Sequence, residues 1–206
     1  MQIILPSFYR SNRIISMKTT ASIVCVGKWN PRIFTPNWVA SNVFELPEGA
    51  SMQINLDEES MALTYINNTV SFSVSETSLI ISSPVNNIET LNYIDTIFKR
   101  IVSMLSHTPI SAIGYNINLD LDDEESCKFE KFLDFQIHAV GNYSPSSLSL
   151  SCVKDFAQRS HNVRYKGSNI EIASNFQYNK ASRLPAEGTA FDLIISDHKE
   201  LFGYVF

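Results

Sequence analysis

NNIETLNYIDTIFKRIVSMLSH, residues 86–107, is the stretch on which the fold turns. Apolar residues stand at Ile88, Leu91, Ile94, Phe98, Ile101 and Leu105. Steps of three and four are the stripe of an amphipathic helix, so a helix is expected over Ile88–Ser106. Asn86 with Glu89 three residues on makes a capping-box-like start, and Pro109 lies just past the stop.

Upstream of it the pattern is mostly of period two. Ala21–Val26 is a short apolar run suited to a buried strand. Thr35 and Pro36 open a short helix carrying Trp38, Val39 and Val43, which Pro47 and Gly49 end. Four strands are expected next: Met52–Leu56, Leu63–Tyr65, Val70–Val74 and Leu79–Ile81, with a hairpin turn at Asn67–Asn68. This half therefore reads β-α-β-β-β-β-α.

Downstream, Ile113, Tyr115, Ile117 and Leu119 alternate as a long strand. Asp122 and Glu125 make a capping box opening a helix with Phe129, Phe132 and Leu133 on its apolar side. Leu148, Leu150 and Cys152 alternate as a strand, and Val163–Tyr165 and Ile170–Ile172 flank a Gly167–Ser168 turn. After a long connection, Gln177–Gly188, the run Phe191–Ile195 reads as the last strand.

The two halves thus share an order of elements, and some text. YINNTVSFSVS (65–75) is similar to YKGSNIEIASN (165–175), and SLIIS (78–82) to DLIIS (192–196). The fold expected is α+β: internally duplicated β-α-β4-α units forming a curved antiparallel sheet with helices on one face. Residues 1–19 form an N-terminal arm, 20–108 the first repeat and 109–206 the second. In element order this resembles the saddle of the TATA-box-binding protein. That resemblance implies one continuous curved sheet with long helices on its convex back, and no function. The second half departs from it. Asp197 and Glu200 could cap a final helix, but Gly203 interrupts it and the sequence stops at Phe206. The back of the second half is expected to lack its helix and to expose apolar residues, which marks an interface.

Composition narrows the function classes. Of 206 residues 44% are hydrophobic and 18% charged, and the net charge is −5, which disfavours a protein built to neutralise phosphates. Cys25, Cys127 and Cys152 are widely spaced, without C-x-x-C, and read as small core residues in a reducing compartment. The N-terminal text lacks the pattern of a signal peptide and no apolar run is of membrane-spanning length, so a cytoplasmic protein is expected.

Motifs for chemistry are weak. The acidic run Asp120–Glu125 has Glu125 and Lys131 where a calcium loop needs Gly and Glu, and fits a helix first turn instead. Cys127, Asp134 and His138 could be assembled into a catalytic set only on paper. No phosphate-binding loop occurs. No enzyme activity, cofactor or metal is expected.

The expected role is a protein-interaction module within an oligomer or complex, its partner another protein or the chain itself. Candidate anchors are Trp29, Arg32 and Trp38, from a loop that gathers both tryptophans, with Phe202, Tyr204 and Phe206 near the end. Phe34 and Trp38 also suit packing around the short helix, and Trp29 suits either role. The alternative is nucleic-acid binding through Arg159, Arg164, Lys166, Lys180 and Arg183.

Overall fold

Alternation along each strand divides this molecule into a helix side and an open side. The computed structural model describes residues 18–57, 62–85, 87–121, 147–166, 169–185 and 188–202. Its strands are β1 (Lys18–Gly27), β2 (Gln53–Asp57), β3 (Ala62–Asn67), β4 (Val70–Val74), β5 (Ser78–Pro84), β6 (Ile110–Leu121), β7 (Ser147–Lys154), β8 (Ala157–Lys166) and β9 (Asn169–Tyr178). The helices described are α1 (Pro36–Asn42), α2 (Ile88–Met104) and α3 (Ala190–Phe202). All nine strands join one sheet in the order β2-β3-β4-β5-β1-β6-β9-β8-β7, with every pairing antiparallel.

The expected mixed α+β class is observed, and much of the first half lies where its pattern put it. Thr35 caps α1, its Oγ1 accepting from Trp38 N at 3.3 Å, with Pro36 in the first turn. Ile23 and Cys25 of β1, Phe72 and Val74 of β4, and Leu79 and Ile81 of β5 are fully buried on one side. Leu91, Ile94, Phe98 and Ile101 of α2 cover them. Leu91, Ile94, Phe98 and Ile101 belong to the stripe of the sequence, whereas Ile88, also expected on it, is exposed; the cap is Asn87, whose Oδ1 accepts from Thr90 N at 3.0 Å, and Asn86 lies outside the described residues.

The stripe also holds a carboxylate. Asp95 is buried, accepts from the Tyr115 hydroxyl at 2.8 Å and pairs with Lys99 at 2.8 Å. Burial, and next the Asp95 charge, push the Tyr115 hydroxyl well above the usual phenol range, so it stays a proton donor.

Several expectations are corrected. The β3–β4 turn is Asn68–Thr69, one residue later than expected, with Asn68 at φ +53° and Asn67 paired to Val70. Phe191–Ile195 is no strand. It lies inside α3, whose start is a reciprocal cap: Thr189 N donates to Asp192 Oδ2 at 2.7 Å and Asp192 N to Thr189 Oγ1 at 3.1 Å. Phe191, Ile194, His198 and Phe202 form its buried side, against β6 and β9. The back of the second half therefore carries its own helix. The similar segments 65–75 and 165–175 also hold different places: β3–β4 is followed by another strand before α2, whereas β9 leads on to α3. Among the described residues the second half has four strands to the first half's five. Cys25 is buried, with burial pushing its thiol up to about 12, but Cys152 is exposed on an edge strand. Cys127 and the helix expected from Asp122 lie outside the described residues.

Phe98 is fully buried, edge-on to Tyr115 with ring centroids 6.0 Å apart. Phe98→Ala is expected to lower unfolding free energy by about 3–5 kcal/mol in a urea titration. Met104→Ala, at an exposed position of the same helix, is expected to change it by less than about 0.5 kcal/mol.

Candidate interaction surface

All three helices pack on one side of the sheet. Phe34, ahead of α1, stacks on Phe72, Phe98 of α2 meets Tyr115, and Phe191 of α3 meets Tyr115 from the other half. The opposite side bears no helix among the described residues. Its residues follow from the register: Thr64 beside Ser73, Ser71 beside Ser82, Ser22 beside Asn116, Asn116 beside Asn175, and Asn162 beside Ser149.

These side chains bind one another across the strands. Thr64 Oγ1 donates to Ser73 Oγ at 3.0 Å, and the Ser71 and Ser82 hydroxyls lie 2.7 Å apart. Asn175 Nδ2 donates to Asn116 Oδ1 at 2.6 Å, Asn116 Nδ2 to Ser22 Oγ at 3.3 Å, and Ser149 Oγ to Asn162 Oδ1 at 2.7 Å. The face is thus a web of hydroxyls and amides. Charge enters it at one end, where Asp120, Glu171 and Arg164 are consecutive cross-strand neighbours. Because these hydroxyls and amides already have partners, covering them costs less desolvation than covering charged side chains.

At one margin the loop after β1 overhangs the face. Trp29, Asn30, Pro31 and Arg32 and the open side of β3, β4 and β5 line a groove of about 1150 Å³. The loop is held from beneath. Trp29 N donates to Glu76 O at 2.9 Å, Trp29 Nε1 to Cys25 O at 3.2 Å, and Arg32 N to Asn30 Oδ1 at 3.1 Å.

The sequence candidates are dispersed. Arg32 is exposed at the groove. Trp29 lines it but is almost wholly buried, and Trp38 packs edge-on against Phe34 on the helix side. Phe202 is buried against His161 and His198. Tyr204 and Phe206 lie outside the described residues, as do Asp134 and His138.

The basic set is dispersed too. Arg159 is a core residue, 2% exposed: Nη1 donates to Asp197 Oδ1 and Oδ2 at 2.8 and 3.0 Å, and Nη2 to Asp155 Oδ2 at 2.6 Å. Its guanidinium lies 4.8 Å from the Phe176 ring centre. Arg183 stacks on exposed Phe156 at 4.2 Å, beside exposed Lys180. Arg164 stands about 25 Å further along β8, from the rise per residue of a strand. The side chain of Lys166 lies outside the described residues.

Beneath α3 lies a cluster that sequence spacing did not signal, because its members come from β8, β9 and α3. Ser174 is hydrogen-bonded to His161 Nδ1 at 2.8 Å and to His198 Nε2, and His161 Nε2 is 3.6 Å from Asp197 Oδ2. The residue types are those of acyl transfer, but Ser174, His161 and His198 are each 3% exposed or less. The network assigns the tautomers: Ser174 donates to His161 Nδ1, which leaves the His161 Nε2 proton facing Asp197, and His198 Nε2 donates to Ser174. Burial lowers both histidines from the usual range, opposed at His161 by Asp197 and reinforced at His198 by His161, which brings His198 to about 3. Both are neutral cross-links between sheet and helix.

No protein-family model matches the chain, and no curated protein matches its sequence. Among the described residues no group of three or more His, Cys, Asp or Glu is placed to hold a metal ion, and no helix is long and apolar enough to cross a membrane.

Neutral buried histidines tie stability to pH with a definite sign. Above pH 6.5 they are neutral folded and unfolded, and their contribution is complete. As pH falls below 6.5 the unfolded chain takes up the protons, and stability declines by about 1 kcal/mol per pH unit for each histidine. For His198 the decline continues to about pH 3. Urea midpoints measured from pH 7.5 to pH 5 are expected to fall, and to fall less steeply in His198→Phe.

Proposed function

We propose that the protein is a non-enzymatic protein-interaction module, working inside an oligomer or multiprotein complex, and that its partner lies on the open face of the sheet at the Trp29–Arg32 groove. The observation that carries this is the internally paired hydroxyl and amide surface described above, reaching from Thr64 on β3 to Ser149 on β7 with charged residues at one end. Interface centres are depleted of charge, and a sheet face meant only for water has no need of such depletion. The groove adds a concave margin with one exposed cation, Arg32, set against Glu76. The seal over Ser174 and the two histidines favours a binding role over hydrolysis.

Internal duplication on the plan of the TATA-box-binding-protein saddle belongs to the same proposal. It is supported by the order β4-β5-β1 facing β6-β9-β8 across the middle of the sheet, each half followed by a helix on the same side. The matched segments of text are not its basis, since 65–75 and 165–175 fall on non-equivalent strands and 78–82 and 192–196 on a strand and a helix. One of the five residues of the nucleic-acid alternative, Arg159, lies in the core.

A photo-crosslinking residue tests the role directly. Placed at Ser73 on the open face, it is expected to give a discrete protein adduct in cells that naturally express the chain; placed at exposed Thr96 on α2, it is expected to give none. Equal labelling from both positions, or none from Ser73, contradicts the proposal.

A further inference from the structure

We infer that β7 is a self-pairing edge, through which two copies of this chain join their sheets into one of eighteen strands, twice the nine described. This goes beyond the open-face proposal and does not depend on it. β7 pairs with β8 on one side and with no strand on the other among the described residues. An uncovered edge offers a row of unpaired N–H and C=O groups, and folded proteins ordinarily block it with proline, a bulge or charge. β7 carries none of these along its length. Its eight residues, SLSLSCVK, stay in unbroken register with β8, and Lys154 at the end is the sole charge. The opposite edge, β2, has five residues.

The occupant follows from self-complementarity. A two-fold antiparallel pair centred on Leu150 sets Leu150 against its own mate, Leu148 against Cys152, Ser149 against Ser151 and Ser147 against Val153. Apolar residues then meet apolar ones on the helix side, the Ser149 and Ser151 hydroxyls meet on the open side, and no like charges are opposed. The pairing also covers Cys152, which is exposed, and Val153, 82% exposed in one copy. Such an interface uses the same patch twice and closes at two copies.

Light scattering coupled to size exclusion tests it on the full chain. The unaltered protein is expected at about twice the chain mass. Ser149→Lys with Ser151→Lys, both exposed and mutually opposed in the pair, is expected to give a folded monomer by circular dichroism. So is Ser149→Glu with Ser151→Glu, and mixing the two variants is expected to restore the dimer. A monomeric parent, a lysine variant that still dimerises, a mixture that stays monomeric, or an open series of masses from β2–β7 pairing overturns the inference. These substitutions lie six strands, about 29 Å, from Ser73. Mass reads this interface and the Ser73 adduct reads the open face, so the two proposals are tested by separate measurements.

Discussion

The structure depends on one strand pair, β1 with β6. These are the first strands of the two halves, in register from Lys18 with Asp120 to Val26 with Ala112. β1 carries the first half's sheet on its other edge, and β6 carries the second half's. At its end β1 is fastened from both directions: Gly27 N donates to Thr77 O and Lys28 N to Pro109 O, each at 3.0 Å. A Cβ on Gly27 would stand 2.6 Å from Pro109 O, so a residue without one is required where β1 passes the turn leading from α2 into β6. Tyr115, in the middle of β6, then touches the helices of both halves through Phe98 and Phe191. With that pair in place, the helices among the described residues pack on one side of the sheet, and the other carries a patterned polar surface.

What was legible in the sequence was whatever local pattern determines. The Thr35–Pro36 start, the alternation in β4 and β6 and the stripe of α2 each depend on residues a few positions apart. α3 shows the limit. Its Thr189-x-x-Asp192 cap is present in the text, but Leu193, Ile194 and Ile195 form a short apolar run of the kind equally suited to a strand, and His198 interrupts the stripe with a polar side chain. The Ser174 hydroxyl, supplied by β9, makes a buried histidine acceptable there. Arg159 was misplaced for the same reason: a surface cation in sequence, it is stabilised inside by Asp155, four residues before it, and Asp197, 38 residues after it. Burial of charge is set by tertiary partners, which a single sequence does not display.

The open face was partly visible beforehand, because the serines of β4 and β7 and the asparagines of β6 alternate with apolar residues. Its character as a connected web was not, since Asn116 meets Ser22 and Asn175 only after three strands from distant parts of the chain are aligned. The same alignment separates the anchors expected of the Trp29–Arg32 loop. Trp29 supports the loop from within the core, while Arg32 is exposed at the groove. Buried polar groups at Asp95 and beneath α3 fix the helices on one side, and hydroxyls and amides paired across the strands occupy much of the other.

Amide hydrogen exchange measured across the whole sheet is the direct test of the claim that the two halves share one core through β1 and β6. The slowest amides are expected in these two strands, and the protected amides of β5 and β9 are expected to exchange with the same opening free energy as theirs. Two separate groups, with β1–β5 and β6–β9 opening at different free energies, would show that the halves are independent and contradict the account.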